Sequence, residues 1–272
     1  IMWECPDFFP LDGKWVLILS PIEMERQQEK YWNLNSTVAF IGDMNWETGQ
    51  FFVDTYDEID GGLDFYAPQT CQGPNGERYM VAWMQMWQRS IPSHDLGHGW
   101  AGSMTIPRKL GLKDGRLVQE LPESVKNHFL VENAPETIVK GNQIMIPARG
   151  KQTLFEIDSK SDRSFILKYG DESDVDSALQ LIYDASNKRF SLSRDQFGHL
   201  ISGKESPEFQ SRWIQLDGEK DYHFSILRDT NSIEVFVDGK TLSMTFYETT
   251  ENPVYTFKAD EGVDLVVKAY QK

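Results

Sequence analysis

Glu4 is the first residue whose surroundings could make it a catalytic group. It stands between Trp3 and Cys5 and is followed by Pro6. In an extended strand its side chain would point away from both neighbours, either to solvent or into a cleft. A carboxyl group in a cleft can give and take protons as a general acid or base. The competing interpretation, an exposed glutamate on an edge strand, is favoured by composition alone.

A second candidate site is an acidic segment that ends in aromatic residues. Four carboxylates fall within residues 57–64, among them Asp60, and Tyr66 follows shortly after them. Carboxylates accept paired hydrogen bonds from sugar hydroxyls, while aromatic rings cover the apolar face of a sugar. The glycine pair at 61–62 indicates an alternative, a polar turn that leads into a strand, and composition favours that turn.

Histidine and cysteine offer weaker possibilities. His94 and His98 stand four residues apart beside Asp95, but Pro92 and nearby glycines predict a loop, whereas zinc sites with this spacing use a helix. Hydrogen bonding from a loop is therefore the favoured role. Cys5 has no recognisable activating base, and we interpret it as a small buried thiol. Nucleophile elbows and phosphate-binding glycine loops are not recognisable in the sequence.

The composition limits the classes of partner. The chain has 272 residues, 40% of them hydrophobic, which is long enough for one large or two ordinary globular domains. Its 42 acidic and 27 basic side chains give a net charge of −15, which argues against nucleic acids and anionic membrane surfaces as partners. No apolar run approaches membrane-spanning length. No signal peptide is recognisable, and the cellular location is left open.

The hydrophobic pattern predicts an all-β protein. Short apolar or alternating runs, such as residues 15–19 and 232–237, are separated by turns rich in Gly, Pro, Asn and Asp. The Asp-Gly pairs at 12–13 and 238–239 are typical of hairpins. The spacing of apolar and turn-forming residues changes between residues 111 and 136. Seven of the eight tryptophans precede this region. We therefore expect a domain boundary there, with an antiparallel β-sandwich after it.

Five segments carry motifs in one order along almost the whole chain. They are a Glu-Cys-Pro motif at residues 3–9, an Asp-x-Gly and Phe-Tyr-Ala segment at 60–70, a Trp-Met segment at 82–87, a Trp-x-Gly and Pro-Arg segment at 99–110, and a sandwich signature at 232–239. Ala82 and Lys109 stand where glycine and glutamate are usual. In this combination the chain resembles glycoside hydrolase family 32, the β-fructofuranosidases that include invertases, exo-inulinases and levanases.

The resemblance implies a fold in two parts. Family members have a five-bladed β-propeller followed by a β-sandwich, and this chain, which opens on Ile1, matches only the C-terminal part of that arrangement. We therefore expect a partial propeller of late blades in residues 1–115, a linker in 116–135 and the C-terminal antiparallel β-sandwich in 136–272. A propeller without its early blades would expose an apolar face. The chain is then expected to aggregate, to form a homodimer or to pair with the missing N-terminal half.

The resemblance also implies a site. Glu4 matches the general acid/base, and Asp60 matches an aspartate that contacts the substrate beside it. Leu63 stands where many plant members have a lysine. Tyr66 and Trp87 are expected to line the cleft. The family's nucleophile lies in an Asn-Asp-Pro-Asn motif upstream of Glu-Cys-Pro, and neither this motif nor the Arg-Asp-Pro motif of the substrate site occurs in the sequence. No metal and no cofactor is implied.

Together these features predict part of a retaining glycoside hydrolase that cleaves terminal β-D-fructofuranosyl residues from sucrose or fructans. Sucrose or a fructo-oligosaccharide is the expected partner. Because the nucleophile's motif does not occur in the sequence, the chain alone is expected to be inactive. Two alternatives stay open: a non-catalytic fructan-binding fragment, and a fructosyltransferase that uses the same residues with a sugar as the acceptor.

Overall fold

The structure is dominated by antiparallel sheets, as the hydrophobic pattern predicts. Among the described residues, two short helices, α1 (Pro92–Asp95) and α2 (Glu123–Leu130), accompany the strands. None of the helices in the described part of the chain is long and apolar enough to cross a membrane. The all-β prediction is therefore confirmed. The computed structural model describes residues 2–130, 136–204, 210–218, 220–262 and 265–272.

The first sheet has four strands that follow one another in space as they do in sequence. They are β1 (Met2–Leu11), β2 (Lys14–Ile22), β3 (Val38–Asn45) and β4 (Gln50–Glu58). The predicted Asp-Gly hairpin joins β1 to β2, where Leu11 pairs with Lys14. Phe9, Val16 and Ile18 are buried from one face of this sheet. That face meets the second sheet in a shared apolar core.

The second sheet repeats this plan. Its strands are β5 (Tyr66–Gln72), β6 (Arg78–Trp83), β7 (Arg108–Lys113) and β8 (Arg116–Glu120). Residues 116–120, expected in a linker, instead form β8 and pair with β7. The physical reason is apolar packing, because Leu112 and Leu117 pair across these strands and both lie against the core of the first two sheets.

The remainder of the described chain forms two six-stranded sheets. One has the order β10 (Gln143–Pro147), β19 (Pro253–Ala259), β12 (Phe165–Asp171), β13 (Asp174–Asp184), β14 (Arg189–Ser193), β15 (Ser211–Gln215). The other has the order β18 (Lys240–Thr245), β17 (Ser232–Val237), β16 (Tyr222–Arg228), β11 (Thr153–Ser159), β20 (Leu265–Gln271), β9 (Glu136–Gly141). The second predicted hairpin joins β17 to β18.

An aromatic core joins the two six-stranded sheets. Phe155 of β11 meets Phe257 of β19 edge to face, with ring centroids 5.3 Å apart. Phe165 of β12 meets Phe224 of β16 in the same way at 5.2 Å. Each pair takes one ring from each sheet, and edge-to-face contacts add to the gain from apolar burial. Phe165 and Phe224 are fully buried, so the two sheets enclose one continuous core.

One histidine on the outer side of this core is held between two carboxylates. His223 of β16 lies 2.7 Å from Asp158 through Nδ1 and 2.6 Å from Glu156 through Nε2. Both carboxylates belong to the neighbouring strand β11. The hydrogen bond with Glu156, opposed by partial burial and followed by the bond with Asp158, raises the pKa of His223 to about 9. The imidazole is therefore charged near neutral pH.

This arrangement predicts a pH-dependent contribution to stability. The pKa of about 9 in the folded chain exceeds the unfolded value of about 6.5, so the protonated ring stabilises the fold fully below about pH 6.5. That contribution is lost as the pH rises through about 9. The difference in melting temperature between the unmodified chain and His223→Gln should be larger at about pH 6 than at about pH 10. Because half of the ring is exposed, the effect is small.

His199→Gln is the matched control, since this histidine is exposed on a loop. Thermal melts of both variants should be compared at the two pH values. An equal destabilisation of His223→Gln at both would contradict the role of the two carboxylates.

Candidate active site

The edge strands β1 and β5 bring two of the predicted site residues together. Tyr66 donates a hydrogen bond from its hydroxyl to Oε2 of Glu4 at 2.5 Å. Farther along the strands, the backbone N–H and the hydroxyl of Thr70 donate to Oδ2 of Asp7 at 2.7 and 2.6 Å. Side chains thus join two strands that belong to different sheets. Glu4 is half-buried and Tyr66 is buried at this junction.

Both strands carry an irregularity directly after the residue of interest. The pairing register of β1 shifts between Glu4 and Asp7, and that of β5 shifts between Tyr66 and Gln69. Cys5 and Ala67 have positive φ angles of 48° and 50°. A bulge bends a strand and redirects its side chains, and a non-glycine residue in this region costs on the order of 1 kcal/mol. The two bulges allow the carboxylate and the phenol to meet.

The electrostatics keep two neighbouring groups protonated. Burial of the phenol raises the pKa of Tyr66, and its hydrogen bond to Glu4 and the charge there raise it further. Tyr66 therefore acts as a hydrogen-bond donor to the carboxylate. Partial burial, followed by the charge of Glu4, raises the pKa of the Cys5 thiol. Cys5 is half-buried, and its raised pKa disfavours the thiolate form that a nucleophile needs.

An aromatic pair extends this site along β6. Trp83 pairs with Tyr66 across the β5–β6 ladder, so the two side chains lie on the same face of the sheet. Trp87 meets Trp83 edge to face at 5.0 Å and is 54% exposed. Trp83 was not singled out from the sequence, although the Trp-Met segment that contains it was recognised. Because Trp83 lies opposite Tyr66 and contacts Trp87, it connects the Glu4–Tyr66 pair to Trp87.

Asp60 requires a correction, because the structure does not place it with Glu4 and Tyr66. Its side chain is fully buried and lies 2.8 Å from Nη1 of Arg108. Its oxygens also accept hydrogen bonds from the hydroxyl of Thr241 and from the backbone N–H and hydroxyl of Ser243, at 2.9, 3.0 and 2.8 Å. These protein donors occupy the carboxylate, so it is not available to bind a sugar hydroxyl.

Arg108 connects Asp60 to the last of the five motif segments, residues 232–239. Its Nη2 lies 2.7 Å from Oε2 of Glu234 on β17, and both side chains are almost fully buried. A buried charge is tolerated when it is paired and hydrogen-bonded, and here one guanidinium serves two carboxylates. This cluster joins the second sheet to the six-stranded sheet that contains β17 and β18.

A second buried ionic cluster lies four residues farther along the same turn. Asp64 contacts Arg89 at 3.0 Å and Arg194 at 2.5 Å, and it accepts a hydrogen bond from the backbone N–H of Thr245. Burial opposes ionisation, but Arg194 and then Arg89 outweigh it and hold the pKa of Asp64 below its usual range. The acidic segment that suggested a sugar site therefore contributes two buried, arginine-paired carboxyl groups to the junction between sheets.

The histidine pair lies outside this site. His94 belongs to the single turn of α1, and the ring of His98 packs against Trp100 at 5.2 Å. Among the described residues, no group of three or more His, Cys, Asp or Glu side chains could hold a metal ion.

A separate cavity of about 430 Å³ lies at the outer junction of the sheets. It is lined by the end of β4, the β7–β8 turn and the β17–β18 turn. None of Glu4, Tyr66 and Trp87 lines it, and we do not place the chemistry there.

Comparison with known proteins identifies the family. The sequence model described as the glycosyl hydrolases family 32 N-terminal domain matches residues 1–121, and the one described as the family's C-terminal domain matches residues 118–270. The chain belongs to glycosyl hydrolases family 32. The predicted family is therefore confirmed, and the match to the N-terminal domain includes β8.

Curated relatives match nearly the whole chain. A sucrose-6-phosphate hydrolase from Escherichia coli is 30% identical over 97% of this chain and 54% of its own length. A raffinose invertase from the same species is 31% identical over 96% of this chain and 53% of its own length. The chain thus spans about half the length of these family 32 relatives.

Solved structures share the fold. The sucrose-6-phosphate hydrolase of Lactobacillus gasseri superposes with a TM-score of 0.85 at 22% identity, covering 99% of this chain and 54% of that one. A mutant β-fructofuranosidase of Bombyx mori in complex with sucrose gives 0.83 at 24% identity, with the same two coverages.

The buried cluster of Asp60, Arg108 and Glu234 predicts a large loss of stability when Asp60 is neutralised. Removing one member of a buried, hydrogen-bonded ion cluster costs about 3 kcal/mol or more, because the remaining groups lose their compensation. Asp60→Asn should therefore lower the free energy of unfolding in urea by about that amount. Asp43→Asn is the matched control, because the Lys14–Asp43 pair lies at the surface with Asp43 62% exposed.

The control should cost less than about 1 kcal/mol. Similar losses in the two variants would contradict the structural importance of the buried junction. Glu234→Gln, which keeps the shape of the side chain, provides a second test if Asp60→Asn does not accumulate as folded protein.

Proposed function

We propose that this chain is part of a retaining glycoside hydrolase that releases terminal β-D-fructofuranosyl residues from sucrose or fructans, with Glu4 as its general acid/base. The observation that carries the proposal is the Glu4–Tyr66 hydrogen bond at two matched bulges, in a chain of family 32. Relatives described as sucrose-6-phosphate hydrolases and a raffinose invertase support this class of substrate.

Glu4 would act twice in the proposed reaction. In the first step its protonated carboxyl gives a proton to the glycosidic oxygen while a second carboxylate attacks the anomeric carbon and forms a covalent fructosyl intermediate. In the second step the Glu4 carboxylate takes a proton from the attacking water, which releases fructose and the second carboxylate. Retaining enzymes hold the two carboxyls about 5–5.5 Å apart.

Tyr66 has a positioning role in this proposal. Its hydroxyl donates to Oε2 of Glu4, which leaves Oε1 to hold the proton that is transferred. Because Tyr66 is buried and protonated, it fixes the carboxyl without competing for the proton. Trp87 would cover an apolar sugar face from its exposed position.

The nucleophile is proposed to lie in a further segment of the parent protein. The Asn-Asp-Pro-Asn motif that the family resemblance implies does not occur in this sequence. The relatives are about twice as long as the part that this chain matches. On this proposal the two four-stranded sheets are late blades of a five-bladed propeller, and the two six-stranded sheets form the C-terminal sandwich. The boundary between the two parts then falls after β8.

The outer face of the first sheet indicates where a further part of the parent protein would pack. Phe8 stacks on Trp15 at 4.9 Å, and Trp15 meets Trp46 edge to face at 4.9 Å. Trp3 and Trp46 are 48% and 63% exposed. An exposed aromatic surface of this kind usually marks an interface. We propose that a further sheet of the parent protein covers it, on the side of β1 opposite to the Glu4–Tyr66 pair.

The first test of the function is an assay for fructose release. The chain alone should release no fructose from sucrose, inulin or levan, because covalent catalysis needs both carboxyls. The chain joined to the preceding half of its reading frame should be active. In that protein Glu4→Gln should lower turnover by about 10²–10⁴-fold, the usual contribution of a general acid/base.

Glu77→Gln, at a half-buried position directly after the exposed turn at residues 74–76, is the control and should leave turnover unchanged. Turnover by the chain alone would overturn the need for a second segment. Binding of fructans without turnover in the joined protein would favour a non-catalytic binding function. Longer fructans as products would favour a fructosyltransferase.

The exposed aromatic face predicts self-association of the chain on its own. Analytical ultracentrifugation should show dimers or larger species, because the uncovered rings gain from burial against a second copy. The double substitution Phe8→Gln and Trp46→Gln should shift the distribution toward monomer. Leu200→Gln is the matched control, since Leu200 is 72% exposed away from this sheet. A compact monomer in the unmodified chain would contradict the proposed interface.

A further inference from the structure

The loop between β6 and β7 carries an unusual concentration of exposed apolar side chains. Trp87, Leu96 and Trp100 are 54%, 43% and 50% exposed. Exposed aromatic rings next to a carboxylate of catalytic type suit a sugar chain, because the rings cover its apolar faces. The catalytic role of Glu4 is a proposal, and the inference below rests on it.

Hydrogen bonds of buried polar groups hold the start of this loop in place. Nη1 of Arg89 donates to the carbonyl oxygen of Leu63 at 2.5 Å and to Asp64 at 3.0 Å. The side-chain amide of Gln85 donates to the carbonyl oxygen of Ser90 at 2.9 Å. Trp87 lies between these anchored residues, so its place depends on the segment 85–90 as a whole.

The same segment also contacts Ser202 and Gly203, which lie outside the strands in the C-terminal half of the chain. The backbone N–H of Ser90 donates to the carbonyl oxygen of Ser202 at 2.8 Å, and the N–H of Ser202 donates to the hydroxyl of Ser90 at 2.9 Å. Arg89 and Gly203 form an isolated β-bridge. Residues 202–203 follow β14 and therefore belong to the C-terminal half of the chain.

Gly203 makes this contact possible because it has no side chain. A Cβ atom at this position would lie 2.5 Å from the carbonyl oxygen of Gln88 and 3.1 Å from Cα of Arg89. Gln88 itself has a positive φ of 64°. The backbone immediately after Trp87 is thus held in a less favoured conformation by a close contact that only glycine permits.

The far end of the loop is held in a similar way. Nδ2 of Asn231, just before β17, donates to the hydroxyl of Ser103 at 2.9 Å. Gly102 approaches Trp83 so closely that a Cβ atom would lie 2.8 Å from its indole nitrogen. Both ends of the loop therefore contact the C-terminal half: Ser90 binds Ser202 at one end, and Ser103 binds Asn231 at the other.

We propose that the C-terminal half of this protein is a specificity element, in which Ser202 and Gly203 position the Trp87 loop to bind the sugar units on the leaving-group side of the cleaved bond. A general acid lies on the leaving-group side, because it protonates that oxygen. The rings of Trp83 and Trp87, which extend away from Glu4, therefore face the remainder of the sugar chain. The ligand class is an oligosaccharide of fructose units longer than sucrose.

The positioning step is tested in the free chain by the indole N–H signals in a two-dimensional NMR spectrum. Gly203→Ala should shift the signals of Trp83 and Trp87, because the added methyl group displaces residues 88–89. Gly111→Ala is the matched control, since a Cβ there meets only ordinary contacts at 3.5 and 3.6 Å. Unchanged Trp83 and Trp87 signals in Gly203→Ala would overturn the inference.

The binding step is tested by calorimetric titration of the chain with sucrose and with an inulin-type tetrasaccharide. Trp87→Ala and Gly203→Ala should each weaken tetrasaccharide binding by about tenfold, the equivalent of about 1.4 kcal/mol, and should affect sucrose less. Gly111→Ala should change neither affinity.

The outcomes separate this inference from the function on which it rests. Tetrasaccharide binding that Glu4→Gln or Tyr66→Phe alters, but Gly203→Ala and Trp87→Ala do not, would overturn the inference and leave the proposed function standing. Equal losses for sucrose and the tetrasaccharide would remove the preference for longer chains and overturn it as well. If the unmodified chain binds neither sugar, the specificity role fails, whereas the proposed function is decided separately by fructose release in the joined protein.

Discussion

Two buried carboxylates, each paired with arginine, constrain the rest of this structure. Asp60 and Asp64 lie on one short turn between β4 and β5, and both side chains are almost completely removed from water. An ionised carboxylate in that position needs compensating charge and hydrogen bonds. Arg108 supplies them to Asp60, while Arg89 and Arg194 supply them to Asp64. The turn can therefore exist only where residues from both halves of the chain meet.

The same turn shows why the two halves lie in such close contact. It runs along β18, where the N–H of Gly61 donates to the carbonyl oxygen of Thr241 and the N–H of Leu63 donates to that of Ser243. A Cβ atom on Gly62 would lie 2.1 Å from the backbone nitrogen of Ser243. Tyr66 follows this turn by two residues, so the C-terminal contacts also fix the start of β5. The position of the Glu4–Tyr66 pair thus depends on ion pairs that are far from it in sequence.

Local signals in the sequence were sufficient for the all-β class and the hairpins, but not for the hydrogen bond between Glu4 and Tyr66. The two Asp-Gly hairpins are encoded by the residues that form them, and motif order led to Glu4 and Tyr66. The family resemblance implies that Asp60 contacts the substrate, whereas in the structure its carboxylate binds Thr241 and Ser243, about 180 residues away, which no local pattern reveals. The five residues of β8 are too few to show a periodic pattern, and their pairing with β7 is visible only in three dimensions.

The two faces of the first sheet differ in a way that bears on the catalytic proposal. Toward the second sheet, Phe9, Val16 and Ile18 are buried in a shared core. Toward the other side, successive aromatic rings contact one another and stay exposed. Trp3 belongs to this uncovered side through its contact with Phe40, and it is the neighbour of Glu4 on β1. Glu4 itself pairs with Ser20, which shares a face of β2 with Val16 and Ile18, so its carboxylate points toward Tyr66 and away from these rings. An element that covered the rings would therefore support β1 on the side opposite to Glu4. The second carboxylate of the proposed reaction would have to approach on the Tyr66 side, so burial of the aromatic face and completion of the active site fall to different parts of the parent protein.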